Sequence, residues 1–324
     1  MTSEFNLINK YFVGRQSQRR DVLLAAGDDC ALVEMPKNVS IAISTDTLVA
    51  GTHFLADAPP DWIAHKALAS NLSDLAAMGA TPAWVSLALT MPEPNEDWLA
   101  PFCDAFFKLA DYFGVQLIGG DTTKGPLSIT LTVQGFVPQE RALRRSGAKV
   151  GDWVYVTGTL GDSKAGLDVV LDAKNRHKPY ADDLLYRHFH AMPRVLVGQA
   201  MLPYASAAID ISDGLISDIQ HILKASQVGV SLDVDTLPLS KELVQFVENK
   251  QMAQQYALTS GEEYELCFTV PEEHKGTIES ATAHCGVKIT CIGQVRPQEN
   301  FELHATGEPL DWIISGYDHF KESQ

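Results

Sequence analysis

Apolar residues in this chain follow two rhythms that alternate from one end to the other. Two-residue alternation or unbroken apolar runs predict strands at 30–35, 40–46, 83–90, 115–119, 127–137, 152–157, 207–211, 229–234, 264–270 and 287–295. Spacing of three to four predicts helices at 61–78, 96–113, 162–173, 181–190, 194–202, 214–226, 240–256 and 272–284. The clearest of these carries Leu68, Leu72, Leu75 and Ala76 and stops at Gly79, with Pro82 just beyond. Strands and helices interleave without a repeat, so the expected fold class is α/β (α+β). The pattern changes near RALRRSGAKVGDW, after the long strand 127–137, and this divides the chain into expected domains 1–142 and 143–324.

Composition narrows the picture. A chain of 324 residues, 45% of them hydrophobic, has the size of two domains and apolar content enough for a substantial core. It has no run of 18 apolar residues, and MTSEFNLINKYF shows neither a basic n-region nor an apolar h-region, so neither a membrane span nor an export signal is expected. Cys30, Cys103, Cys267, Cys285 and Cys291 form no CxxC pair, which argues against a disulfide framework or thiolate zinc site and fits a reducing cytoplasm. A formal charge of −16, with Arg141, Arg144 and Arg145 as the one basic cluster, excludes a general nucleic-acid surface.

The candidate chemistry lies in where the acids sit. Five clusters abut predicted core: GDDCAL (Asp28, Asp29), ISTDT (Asp46), NLSDLAAMGA (Asp74), LIGGDTT (Asp121) and AIDISDG (Asp210, Asp213). An ionised carboxylate beside a core costs several kcal/mol unless it is paired, and nearby Lys and Arg are too few to pair them all. Divalent cations answer that need, and the oxygen donors Ser44, Thr45, Thr122 and Ser212 favour Mg2+ over zinc. Asp is also a common cap and turn residue. Asp61 reads only as a cap, and Asp213 before Gly214 reads equally as a turn opening helix 214–226. Asp74 does not, because it lies within a helical pattern on the face of Ser70 and Asn71. Asp46 and Asp121 follow short apolar strands, where open α/β sheets place ligand-binding groups. Gly27, Gly119, Gly120, Gly158 and Gly161 would let backbone N–H groups approach phosphate, although neither a Walker A loop nor the protein-kinase motif set is present. Arg145 is suited to touch a phosphate, or else forms a surface ion pair.

As a set, GDDCAL, ISTDTLVAGTHF, NLSDLAAMGA, LIGGDTT, RSGAKVGDWVYVTGTLGDS, AIDISDGL, SGEEYELCF and GYDHF resemble the thiamine-monophosphate kinase family, from Phe5 to Phe320. That family falls within the ATP-binding superfamily of aminoimidazole ribonucleotide synthetase. The resemblance implies a two-domain fold whose N-terminal mixed sheet forms a barrel at a homodimer interface, followed by a C-terminal α/β domain. It also implies transfer of the γ-phosphoryl group of ATP to thiamine monophosphate, with several Mg2+ ions bringing the two anions together.

Carried onto this chain, the resemblance makes Asp46, Asp74 and Asp121 the catalytic array, and Asp29, Ser44, Thr45, Asp46, Asp74, Asp121, Asp210 and Asp213 the metal ligands, with Asp28 supporting Asp29. Gly120, Asp121, Arg145 and Ser212 would meet ATP, while His53, Glu262 and Trp312 would meet thiamine monophosphate. The chain departs from the family's Gly-Gly-Glu-Asp-Tyr-Glu, having Ser260 and Glu263 in the first and fourth places, and its spacing from Trp312 to GYDHF differs. Two other activities fit the same acids: a synthetase of that superfamily that releases ADP and phosphate, and a non-catalytic acidic metal-binding protein.

Overall fold

The computed structural model describes residues 4–298, 300–310 and 312. The chain divides into two compact units, one of residues 1–75 and 80–140, the other of 76–79 and 141–324.

The first unit runs α1 (Glu4–Tyr11), β1 (Val22–Leu24), β2 (Leu32–Val33), β3 (Val39–Val49), α2 (Pro60–Ala77), β4 (Thr81–Met91), α3 (Glu96–Tyr112), β5 (Gln116–Lys124) and β6 (Ser128–Pro138). Four strands form a mixed sheet in the order β3-β6-β4-β5, antiparallel except for β4 with β5. Alternation along β6 buries Ile129, Leu131, Val133 and Val137 on one face, as period-2 geometry requires. Asn95 caps α3, its side chain accepting from Trp98 N, and the helix buries Leu99, Phe102, Phe106, Leu109 and Ala110 along one stripe. By contrast α2 is buried nearly all round, Ile63 to Ala76, with polar Lys66, Ser70, Asn71 and Ser73 among the covered residues.

The second unit contains β7 (Trp153–Thr157), α4 (Asp162–Leu171), α5 (Ala181–Phe189), α6 (Val195–Met201), β8 (Ala207–Asp210), α7 (Leu215–Ser226), β9 (Gly229–Asp233), α8 (Lys241–Val247), α9 (Lys250–Thr259), β10 (Leu266–Val270), α10 (Lys275–Thr282), β11 (Ile289–Arg296), β12 (Phe301–Ala305) and β13 (Glu308–Pro309). Its seven-stranded sheet has the order β13-β12-β9-β11-β7-β10-β8, and only β12 with β9 is parallel. Val154, Val156, Ile209, Ile219, Ile222, Val230 and Leu232 form its main core, and a second core joins α4, α5, α8 and α9 through Val169, Leu184, Phe246 and Ala253.

The elements depart from the sequence expectation in instructive ways. The expected helix 240–256 is two helices, because Glu248 turns left-handed (φ 55°) and Asn249 caps a new start by accepting from Met252 N. The strands expected to end at 46 and 119 run on, β3 to Val49 and β5 to Lys124. Asp46 and Asp121 therefore lie within strands and do not follow them. Ladder pairing with β6 and β4 holds the backbone extended whatever the side-chain polarity. The short α1, β1, β12 and β13 have no strong periodicity and were not expected.

Gly120 shows why one of the glycines is where it is. A Cβ there would stand 1.8 Å from the Leu87 carbonyl oxygen on β4, so the close β4–β5 approach admits no side chain. Gly120→Ala is expected to destabilise the first unit by about 3 kcal/mol or more, seen as an early unfolding transition in denaturant. A variant that melts with the parent would show that the strands can part without cost.

Candidate functional site

In the first unit the candidate site forms where α2 faces β3. Ser44 and Asp46 point to the same side of β3 because they are two apart, and α2 brings Asn71 and Asp74 to that side. The Ser44 hydroxyl donates to Asp74 Oδ2, and Asp46 N donates to Asn71 Oδ1 at 3.2 Å. Asn71 Nδ2 in turn donates to Ala67 O at 2.9 Å, which fixes the amide's orientation. Ser70 turns back on its own helix, its hydroxyl donating to Ala67 O at 3.0 Å. Burial pushes the Asp46 carboxyl up, and the neighbouring Asp74 charge adds to this, bringing it to about 6. Two carboxylates close enough to repel, one on β3 and one on α2, are a charge arrangement that a hard cation relieves.

The other expected ligands of this unit are placed differently. Thr45 faces the opposite side of the sheet, its hydroxyl 2.9 Å from that of Thr132, so its side chain does not join Ser44 and Asp46. One-residue spacing on a strand makes this unavoidable. Asp29 is exposed on the turn after β1, where Asp28 Oδ1 accepts from its N–H at 2.8 Å. Asp121 is exposed on β5, with β6 and β4 between it and β3. Among the described residues no three His, Cys, Asp or Glu side chains gather closely enough to hold a metal. The arrangement is thus a carboxylate pair with neutral oxygens beside it. His53 Nδ1 accepts from Val49 N at 3.0 Å, and its carbonyl accepts from Lys66 Nζ at 3.0 Å. Lys66, 1% exposed, holds the THF turn from beneath; it was missed, though a lysine among the apolar positions of helix 61–78 was the available signal.

In the second unit two loops are laced together by backbone. Ile211 N donates to Glu265 O at 2.8 Å, Tyr264 N to Ile211 O at 2.9 Å and Glu262 N to Ser212 O at 2.7 Å. This sets Ser212 and Asp213 beside Glu262, joining three expected site residues. The lacing requires left-handed backbone at Glu262 and Tyr264, with φ of 57° and 53°, a conformation that is costly for residues other than glycine. Asp210 ends β8 and is buried. Asp218, another residue missed, lies on the buried face of α7. Its Oδ2 accepts from Ser212 N and Asp213 N, each at 3.0 Å, and its burial lifts the carboxyl to about 7. Arg145 is exposed; its charge and that of Asp213 both reach His221 on α7, where burial and then Arg145 lower the imidazole and Asp213 opposes them. Trp312 packs on the main core of this unit with Leu239, Ala305 and Leu310, while GYDHF lies outside the described residues.

The departures at Ser260 and Glu263 both act on α4. That helix begins at Gly161 without a cap of its own. Glu263 Oε1 accepts from Gly161 N at 2.8 Å and from Ser163 N at 3.1 Å, and Ser260 Oγ accepts from Lys164 N at 2.9 Å. Three of the N–H groups left open at the helix start are thereby satisfied from a distant loop.

Family models of AIR synthase related proteins match both parts of the chain, the N-terminal domain over residues 27–137 and the C-terminal domain over 149–306. With the mixed sheets described above, these define a two-domain AIR-synthase-like α/β protein. The thiamine-monophosphate kinase of Escherichia coli (strain K12) is 55% identical over 326 residues, 98% of this chain and 98% of that one. The solved thiamine-monophosphate kinase from Stenotrophomonas maltophilia K279a superposes with a TM-score of 0.86 at 39% identity, over 95% of this chain and 98% of that one. A solved structure of AaThiL complexed with AMPPCP and TMP gives 0.77 at 32% identity, over 98% and 97%. The chain belongs to the thiamine-monophosphate kinase family.

The Asp218 carboxyl predicts a pH effect. Raised to about 7 from the ordinary 3.8, it binds a proton in the native state where the unfolded chain has lost it. Its contribution to stability is full below pH 3.8 and is lost as the pH rises through about 7. Denaturant melts between pH 5.5 and 8 should show Asp218→Asn with a flatter decline than the parent. An unchanged slope would mean that Asp218 is ionised throughout.

Proposed function

We propose that this protein transfers the γ-phosphoryl group of ATP to the phosphate of thiamine monophosphate, giving thiamine diphosphate and ADP. Kinship along the whole chain carries this reading, with 55% identity to a thiamine-monophosphate kinase over 98% of both chains. The geometry supports it. Mg2+ is usually held by one or two carboxylates together with substrate phosphates, and Asp46 and Asp74, with the oxygens of Ser44 and Asn71, fit that donor set. Once bound, Mg2+ supplies the charge neutralisation that phosphoryl transfer between two anions requires.

The protein's own part is to position the reactants. Asp46, Asp74 and Asp121 are the proposed catalytic array, and Asp29, Asp210 and Asp213 are further oxygen ligands. Ser44 is a ligand through its hydroxyl, Thr45 only through its carbonyl. Gly120, Asp121, Arg145 and Ser212 are assigned to the nucleotide, and His53, Glu262 and Trp312 to thiamine monophosphate. The acceptor phosphate is already ionised near neutral pH, so no general base is needed. Residues 1–142 form the proposed ATP- and metal-binding and dimerisation domain, and 143–324 the second domain.

The reading includes a cytoplasmic homodimer joined through the first domains, their sheets closing into a barrel. Among the described residues no helix is long and apolar enough to cross a membrane. Ile41 (38% exposed) and Ile43 (64%) stand on the open face of β3 beside the hydroxyl pairs Thr45–Thr132 and Thr47–Thr130. Ile43→Glu should convert a dimer to a monomer in sedimentation. A parent that sediments as a monomer would remove the assignment.

Purified protein with ATP, Mg2+ and thiamine monophosphate should yield ADP and thiamine diphosphate one for one; ADP accompanied by free phosphate and no thiamine diphosphate would point to a synthetase. Asp46→Asn should cut kcat/KM by about 100-fold or more, with the ligand-free melting temperature equal to or above the parent's because the repulsion with Asp74 is relieved. Retained activity would remove Asp46 from the array.

A further inference from the structure

The loop before α7 has its main chain held by a carboxylate that comes after it. Asp218 is 2% exposed, and its charge reaches the buried Cys267 on β10. Its Oδ2 accepts from both Ser212 N and Asp213 N, each at 3.0 Å. Successive main-chain N–H groups turned to one point form a concavity that suits an anion. Here the protein's own side chain fills it from the core side. The two bonds do not cap the helix, because its cap residue is Gly214 and the amides drawn to Asp218 belong to the two residues before that.

The same loop is gripped from its other side. Glu262 N donates to Ser212 O at 2.7 Å, and a Cβ on Gly261 would stand 2.8 Å from that same oxygen. Gly214, with φ 108°, passes so close to the end of α9 that a Cβ there would stand 2.9 Å from Thr259 O. Ser212 thus has its N–H committed to Asp218 and its carbonyl to Glu262, and the Asp213 N–H is committed as well. An anionic ligand calls for donors, and a hard cation calls for oxygens. What these two residues can still offer is the Ser212 hydroxyl to the first and the Asp213 carboxylate to the second. Both residues are half-buried and retain some surface, whereas Asp218 has almost none to present to a ligand.

We propose that Asp218 is a positioning residue for the nucleotide: by drawing the Ser212 and Asp213 amides inward, it leaves the Ser212 hydroxyl and the Asp213 carboxylate as the groups that meet the nucleotide and its metal. This rests on the reading of those two residues as nucleotide and metal contacts. It goes beyond that reading by assigning the contact to side chains, not main-chain amides, and its geometry to a buried acid that touches no ligand. The effect falls on the nucleotide. The segment that carries Glu262 is also tied through Ile211 N on Glu265 O and Tyr264 N on Ile211 O, bonds that Asp218 does not make.

Replacements at this position separate positioning from packing. A serine hydroxyl on a helix bonds the carbonyl four residues back, so in Asp218→Ser it stops short of the loop. Asp218→Asn keeps one oxygen, and a single oxygen is what both amides use. In calorimetric titrations with Mg2+ and a non-hydrolysable ATP analogue, Asp218→Ser should raise Kd by about tenfold or more, with KM for thiamine monophosphate within about twofold of the parent. Asp218→Asn should recover most of the loss. Asp218→Glu keeps charge and acceptors but sets them one methylene farther out; it should weaken binding in the same way, and it carries the test if Asp218→Ser does not fold. In a Ser212→Ala, Asp213→Ala background, itself weakened, Asp218→Ser should add nothing. If that double variant binds the analogue poorly and a folded Asp218→Ser binds it as the parent does, the positioning role is wrong and the reading of the loop stands. If the double variant binds as the parent does, both fall. A further loss in the double background, an Asn variant as weak as Ser, or equal losses for the two substrates would each mean that Asp218 only braces the fold.

Discussion

A carboxylate seated against an apolar core must be given donors, a counter-charge or a proton, and both units are organised around that requirement. Glu265 receives Arg194 through two nitrogens and the Thr157 hydroxyl. Glu263 receives the first amides of α4, and Asp218 receives those of the loop before α7. In each case the fold supplies the donors and the acid becomes part of the scaffold. Asp46 is treated differently. Burial and the Asp74 charge push it up, and among the described residues no cation offsets them. The unit maintains this repulsion through Ser44 on Asp74 and Asn71 on the Asp46 amide, which fix the groups around it without neutralising it. Under the proposed function, a divalent ion arriving with its phosphates would relieve this repulsion.

Much of the site could be read from the chain, because an acid inside an apolar pattern conflicts with that pattern. Asp74 was legible in this way, being mid-helix in a stripe of Leu and Ala where no cap could account for it. Asp46 was legible as chemistry but misplaced as structure, since a strand's end cannot be inferred from where its apolar run ends when the ladder continues through Thr45, Thr47 and Val49. The resemblance groups Thr45 with Ser44 and Asp46 as ligands, whereas strand geometry sends its side chain to the other face. Gly120 shows the reverse ambiguity, because a glycine expected to admit phosphate is already required by the Leu87 carbonyl.

What could not be read depends on partners distant in sequence. Ser260 and Glu263 looked like departures from a substrate motif, yet both cap α4, about a hundred residues earlier in the chain. Nothing in SGEEYE announces that helix. Asp218 is one polar residue in an amphipathic helix, where a solvent-facing position is the ordinary assignment, while Lys66 is one of several polar residues in a helix covered nearly all round. Their burial, and the loop backbone each one holds, appear only when the helices are set against their neighbours. The lacing of 211–212 to 262–265 is likewise carried by main-chain groups, which leave no trace in residue identity.

The distant capping of α4 bears on how the second unit assembles as it is made. The strand β7 is flanked in the sheet by β10 and β11, both of which leave the ribosome more than a hundred residues later. Until residue 263 emerges, the first turn of α4 has open amides, and Thr157 lacks its carboxylate acceptor on Glu265. Contacts so far apart close late, after their loop entropy has been met. On the growing chain the centre of this sheet therefore stays unfinished until nearly the whole sequence has been translated, and the nascent unit depends on being kept from aggregating over that interval.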